Sequence, residues 1–171
     1  MKQKFALLLL AISIAVSGWL FWGSDYKVER AITSTEWQSN MVTVLNDNVR
    51  GESVGPLRKV DVVSNVKYLP NGTYIRVATV RLYAHSDQSD SVINISETGH
   101  WEISDSYLLI SPIEFKDISS ANSKDFSEEQ LQLIKKLFKM DAQQSRRIDI
   151  VNEKTLLLTS LSHGSTVLFS N

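Results

Sequence analysis

The sequence predicts a mainly β domain of the α+β class after a single N-terminal helix, and three observations support this. Seven or eight short segments alternate apolar and polar residues, the pattern of half-buried strands. Turn residues separate them, notably Pro70-Asn71-Gly72, where asparagine and glycine tolerate the positive φ of a hairpin. Only Ser127–Met140 has the periodicity of an amphipathic helix. We therefore expect a curved antiparallel sheet or small barrel with one helix packed on it.

The N-terminal helix is predicted to cross a membrane. Residues 5–22 contain no charge, and as a helix they extend for about 27 Å at roughly 1.5 Å per residue, close to the hydrocarbon thickness of a bilayer. Two lysines precede the apolar run and the first acid follows it, which predicts that the N-terminus stays in the cytoplasm. Tryptophans near the far end match an interfacial aromatic belt. The predicted membrane-interface residues are Lys2, Lys4, Trp19 and Trp22.

A cleaved signal peptide is the alternative interpretation of this segment. Ala15-Val16-Ser17 is a passable cleavage site, but cleavage there leaves a bulky apolar N-terminus on the mature chain. Both interpretations export the remainder of the chain. The predicted organisation is a cytoplasmic stub at 1–4, a transmembrane helix at 5–22, a juxtamembrane stalk with the first elements at 23–56, and a β-rich domain at 57–171.

Each segment of the exported part has its own signature. Residues 24–40 are expected to be helical or extended, with Trp37 docking on the domain. Ser127 and Gln130 have the spacing of a helix capping box. In that helix the apolar face is broad, formed by Leu131, Ile134 and Phe138 with Leu133, Leu137 and Met140 alongside. Strands are expected at 60–68, 74–83, 92–95, 100–103, 107–115, 147–151, 155–161 and 167–169, with a turn at 97–99.

Composition and motifs argue against several classes of function. The net charge is −1, and the chain apart from Lys2 and Lys4 has 16 basic and 19 acidic residues, so no direct nucleic-acid contact is expected. Without cysteine there is no disulfide, thiolate nucleophile or cysteine zinc site. His163 follows Ser162 directly, an arrangement more typical of a turn than of a nucleophile and its base. We expect no enzyme activity and no cofactor.

Aromatic residues form the candidate ligand site. On barrel strands they could line a cavity for an amphipathic ligand, since their rings are apolar and their tips polar. The alternative is an ordinary core and sheet surface. The residues concerned are Tyr68, Tyr74, Tyr83, Trp101 and Tyr107.

Several long stretches of the chain resemble the ToxS family. They are WGSDYKVE, EWQSNMV, VDVVSNVKYLPNG, SVINISE, EFKDISS and the whole of SKDFSEEQLQLIKKLFKMDAQQSRRIDIVNEKTLLLTSLSHGSTVLFSN. The resemblance extends from about Trp22 to the C-terminus, and stretches of this length are far more specific than a short motif. The apolar segment before it is similar only in hydrophobic character.

The resemblance implies a non-enzymatic function. ToxS-like proteins are inner-membrane partners of the transcriptional activator ToxR in Vibrio and its relatives. They bind the periplasmic domain of ToxR as a heterodimer, protect it from proteolysis and promote transcription of virulence and porin genes. Related pairs hold bile acids in a barrel-like assembly, which implies a lipocalin-like barrel and bile sensing here. A self-sufficient periplasmic carrier of lipids or bile acids is the alternative function.

Overall fold

The computed structural model describes residues 2–44, 56–84, 91–117, 126–160 and 164–170, and in the first helix the side chains of 9–19 and 25–33. The elements are α1 Lys2–Thr33, β1 Glu36–Val44, β2 Lys59–Tyr68, β3 Thr73–Tyr83, β4 Ser91–Ser104, β5 Tyr107–Asp117, α2 Glu128–Ala142, β6 Arg146–Asn152, β7 Thr155–Ser160 and β8 Gly164–Phe169. The expected mainly β fold with one helix among the strands is confirmed.

The eight strands form a closed antiparallel barrel in which each strand pairs with its neighbours in sequence. Two of the interfaces between neighbouring strands, here called seams, contain few paired residues in the described part of the chain. Between β1 and β8 the paired residues are Gln38 and Phe169. Between β5 and β6 the pairing is confined to residues 107–108 and 146–147. Closure therefore depends on few backbone contacts at these two places, while the remaining interfaces are paired along most of their length.

The predicted turn at residues 97–99 is wrong. β4 runs without a break from Ser91 to Ser104, and the register to β5 shifts between Thr98 and Gly99. Gly99 is needed for close approach of two backbones, because a Cβ there would lie 2.3 Å from the carbonyl oxygen of Ser111. The glycine that suggested a turn therefore marks a bulge within a long strand.

The β2–β3 hairpin is confirmed at Pro70-Asn71-Gly72. Gly72 has φ of 77°, and the Leu69 amide donates to the Thr73 carbonyl oxygen at 2.8 Å. The side-chain oxygen of Asn71 accepts from the Thr73 amide at 3.1 Å, as expected of an asparagine in a turn.

Helix α2 has the predicted capping box. The Ser127 hydroxyl accepts from the Gln130 amide at 3.3 Å, and the Gln130 side chain accepts from the Ser127 amide at 3.0 Å. Leu131 and Ile134 are buried, but the adjoining stripe of the predicted apolar face is not, since Leu137 remains 49% exposed. The buried part of the helix is therefore narrower than its sequence suggests.

Two apolar clusters fill the barrel. The first lies where α1 enters, with Val28 and Ile32 of the helix packed among strand residues. Trp37 at the start of β1 is 1% exposed, and its indole donates to the Ile32 carbonyl oxygen at 2.8 Å, so the expected docking of this tryptophan is confirmed. The second cluster lies beneath α2, around Leu131 and Ile134.

Over the part of the chain that the structure describes, no helix is both long and apolar enough to cross a membrane.

Candidate functional site

Three of the five predicted aromatic residues meet inside the barrel. The ring of Tyr68 lies 6.1 Å from that of Tyr74 and 5.6 Å from that of Trp101, the latter in an edge-to-face arrangement. All three side chains are buried in the cluster at the α1 end. The Trp101 indole donates to the carbonyl oxygens of Leu69 at 3.1 Å and Thr73 at 2.9 Å, which fixes the ring against the β2–β3 hairpin.

The other two aromatic residues lie elsewhere. Tyr83 is at the far end of β3, where the Lys59 ammonium lies 4.5 Å from the ring centre. A hydrogen bond to Asp61 raises the pKa of the Tyr83 hydroxyl. Tyr107 begins β5, half-buried, opposite Arg147 of β6. The structure therefore brings together an aromatic group of three residues and leaves two outside it.

Next to the aromatic group lies an ionic cluster that sequence reasoning missed. The Glu97 carboxylate, whose side chain is fully buried, accepts a hydrogen bond from the Tyr74 hydroxyl and forms a salt bridge with Arg76. Burial raises the pKa of Tyr74, and its hydrogen bond to Glu97 raises it further. Burial also raises the pKa of Tyr68 to about 12. Tyr74, Glu97 and Arg76 thus form one polar network inside the barrel, and the Tyr68 ring lies beside it.

Strand periodicity was the available signal for this cluster. Ile93 and Ile95 face the interior, and Glu97 continues the same inward series at intervals of two residues. Assigning a turn at 97–99 broke the series and concealed the inward carboxylate.

Arg76 links the cluster to helix α2. Its guanidinium carbon lies 5.3 Å from the centre of the Phe138 ring. Its Nε is buried and has no hydrogen-bond partner among the described residues. A buried N–H donor without a hydrogen bond is costly, so an acceptor placed beside this Nε would stabilise the site.

Space inside the barrel at this site is small. A cavity of about 30 Å³ is lined by both apolar and polar residues, including Ser39, Ser64, Tyr68, Arg76 and Arg146. Pockets for drug-sized ligands are roughly 300 Å³ or larger. Arg146 is held by a 2.6 Å salt bridge to Asp141 at the end of α2. This cavity, formed by residues that the structure describes, has room for a water or two and not for an amphipathic ligand.

A wider groove of about 460 Å³ lies at the bulge between β4 and β5. Ile75 and Ile113 contribute exposed apolar side chains to it, and Glu114 adds a carboxylate.

The predicted membrane-interface residues all belong to α1. Trp19 is 81% exposed, while the side chains of Lys2, Lys4 and Trp22 lie outside the described residues. His85 and His163 also lie outside them. Among the residues described, no group of histidine, aspartate or glutamate is placed to hold a metal ion.

These features define the class of the protein: a small closed antiparallel barrel with a buried ionic network, joined to a long N-terminal helix. A family described as "Trans-membrane regulatory protein ToxS" matches residues 21–169. The chain is 68% identical over 171 residues to a "Transmembrane regulatory protein ToxS" of Vibrio parahaemolyticus serotype O3:K6 (strain RIMD 2210633), covering 100% of both chains.

A protein of the same name from Vibrio cholerae serotype O1 (strain ATCC 39315 / El Tor Inaba N16961) is 64% identical over 170 residues, covering 99% of this chain and 98% of the relative. The chain belongs to the ToxS family of transmembrane regulatory proteins. Its relatives are named for regulation, which fits the expectation of a non-enzymatic role.

Proposed function

We propose that this protein is a membrane-anchored co-regulator whose barrel, in the periplasm, binds the periplasmic domain of ToxR. It protects that domain from proteolysis and promotes activation of virulence and porin genes. The observation that carries the proposal is the match of the ToxS family to residues 21–169, which include the whole barrel. The cavity of only about 30 Å³ beside Tyr68 and Arg76 is consistent with a protein that acts through its surface.

The proposed anchor is the apolar part of α1, with the N-terminus in the cytoplasm. Every described side chain from residue 9 to residue 19 is exposed on the helix, including Leu10 and Ile14. Exposed apolar side chains along a whole helix are unfavourable in water and favourable in lipid. This exposure supports placing the segment in the inner membrane.

The seam between β1 and β8 is the proposed place of contact with ToxR. Residues 40–44 pair with β2 on one edge, and the pairing of β1 with β8 in the described chain is at Gln38. Val42 and Val44 are exposed on the same stretch. An unpaired strand edge with exposed apolar side chains is suited to accept a strand from another chain.

Protection from proteolysis then follows from mass action. A partner that binds only the folded form of ToxR lowers the population of open forms that a protease can cleave. Anchoring both chains in one membrane raises their effective concentration, so that a modest interface suffices.

Bile-acid sensing is proposed to be a property of the complex. The 30 Å³ cavity beside Tyr68 and Arg76 is roughly ten times too small for such a ligand. A self-sufficient carrier would have to hold its ligand elsewhere, and the 460 Å³ groove at the bulge between β4 and β5 is the candidate place. We therefore propose that any bile acid binds an interior enlarged by the partner, which makes ligand binding and assembly reciprocally coupled.

A calorimetric titration tests the proposal. Residues 25–171 contain every residue of both core clusters, so this fragment is titrated with the periplasmic domain of ToxR, with and without bile acid. We expect a one-to-one complex with a raised melting temperature, and tighter association when bile acid is present. Val42→Asp is expected to weaken binding, and Val77→Asp, on the outer face of β3, is the control. Absence of binding at high micromolar concentration would refute direct association of these domains.

A further inference from the structure

The barrel is held close to the end of the apolar helix segment. The Asp25 carboxylate accepts hydrogen bonds from the Ser106 amide at 3.0 Å and the Asp105 amide at 3.3 Å, in the turn between β4 and β5. Helix α1 is continuous through this point. Asp25 is three residues beyond Trp22, the last apolar residue of the run, a rise of about 4.5 Å along the helix axis. There is accordingly no spacer between the apolar segment and the barrel.

The β6–β7 hairpin projects beyond this turn. The Ile148 amide donates to the Ser106 carbonyl oxygen at 2.8 Å, which places β6 beside the same turn. Pairing between β5 and β6 ends at Tyr107 and Arg147, whereas β6 continues to Asn152 paired with β7. Val151 lies three residues past Ile148, about 10 Å farther at roughly 3.3 Å per residue. The β6–β7 hairpin therefore extends beyond the β4–β5 turn at the α1 end of the barrel.

The side chains at this end suit a lipid interface. Ile150 and Val151 are 45% and 60% exposed, and Tyr26 is 64% exposed one residue after the Asp25 contact. Tyrosine is favoured in the headgroup layer because its ring is apolar and its tip polar. That layer is about 5–8 Å deep on each side of a bilayer, comparable with the distance from Trp22 to the barrel. We name Tyr26, Ile150 and Val151 the rim.

We propose that the rim rests in the headgroup layer of the membrane that holds α1, so that the barrel docks on lipid and does not stand free of it. The inference rests on the proposed anchoring of α1 but not on any contact with ToxR. Charges near the rim are of both signs without a basic excess, since Arg147 pairs with Asp149 at 3.3 Å, Lys154 follows Glu153, and Lys27 lies close to Asp25 and Asp105. The contact is therefore amphipathic in nature and does not require anionic lipid.

Single-cysteine labelling tests this directly, because the natural chain has no cysteine. The full chain is placed in phosphatidylcholine nanodiscs, with an environment-sensitive fluorophore attached to Val151→Cys. The matched control is Val77→Cys, an exposed valine on the outer face of β3. Ser17→Cys, within the apolar run, verifies insertion. Quenching is measured with lipids that carry a nitroxide on the headgroup.

We expect the label at residue 151 to lose at least half of its fluorescence, and the label at residue 77 to lose little. Adding phosphatidylglycerol or salt should leave the difference unchanged. Equal quenching at 151 and 77 overturns the docking proposal, and so does absence of the chain from the nanodisc. Neither result depends on ToxR, so failure here is distinguishable from failure of the proposed regulatory function.

Discussion

The Tyr74 hydroxyl donates a hydrogen bond to the Glu97 carboxylate across two neighbouring strands, inside the barrel and out of contact with water. The same carboxylate holds the Arg76 guanidinium, which reaches the Phe138 ring of α2. One buried acid thus connects β3, β4 and the helix that covers the second cluster. Removing one partner of a buried ion pair is costly because the other charge remains without compensation.

We predict that Glu97→Ala lowers the free energy of unfolding of residues 25–171 by about 3–5 kcal/mol, because it leaves Arg76 buried and unpaired. Urea unfolding followed by tryptophan fluorescence measures the change. Glu102→Ala, at an exposed position of the same strand, is the control and should have little effect. If Glu97→Ala lowers the free energy of unfolding no more than Glu102→Ala does, the network does not stabilise the barrel.

Alkaline pH should destabilise the barrel through Tyr68. Its pKa is about 12 in the folded protein, above the value near 10 of an unfolded chain, so the folded state holds the proton more tightly. This contribution is complete below pH 10 and is lost as pH rises toward 12, by roughly 2–3 kcal/mol at most. Unfolding free energies measured at increasing pH should fall less steeply for Tyr68→Phe. Tyr26→Phe, at an exposed position, should retain the natural slope.

Period-two patterns and turn chemistry predicted most of the barrel, because they are local. The hairpin at Asn71-Gly72 and the capping box at Ser127 depend on residues within four positions, and both are confirmed. The interior network depends on contacts across strands. Glu97 meets Tyr74 from 23 residues away, and no local pattern reports which inward positions face each other.

The aromatic site was only partly predictable for the same reason. Tyr68, Tyr74 and Trp101 lie at one end of the barrel because the β2–β3 hairpin and the register of β4 bring them there. Tyr83 belongs to the same strand as Tyr74 but is nine residues away, at the other end. Residue type identified the candidates, and register decided which of them meet.

Gly99→Ala is predicted to destabilise the barrel by about 1–3 kcal/mol, because the new methyl group would meet the Ser111 carbonyl oxygen and force the bulge apart. Thermal unfolding of residues 25–171 measures the loss. Thr98→Ala, on the other side of the register shift, removes atoms instead of adding them and is the control. An unchanged melting temperature for Gly99→Ala would mean that β5 moves away at no cost.

Asp25 is predicted to hold the turn between β4 and β5 in place. Asp105 and Ser106 have φ of 52° and 64°, a left-handed conformation that is unfavourable for serine, and the Asp25 carboxylate offsets this by accepting both amide hydrogens. Asp25→Ala removes two hydrogen bonds worth about 1 kcal/mol each. Together they amount to about 2 kcal/mol, so local opening of the turn should become roughly thirtyfold more frequent.

Amide hydrogen exchange on the full chain in nanodiscs measures this effect. The Ser106 amide should exchange about thirtyfold faster in Asp25→Ala, while the Ile93 amide, in the other core cluster, should be unaffected. Glu29→Ala, an exposed acid on the same helix, is the control for loss of charge alone. Faster exchange at both amides would indicate global destabilisation. Unchanged exchange at Ser106 would mean that the buried Val28 and Ile32 alone hold the helix to the barrel.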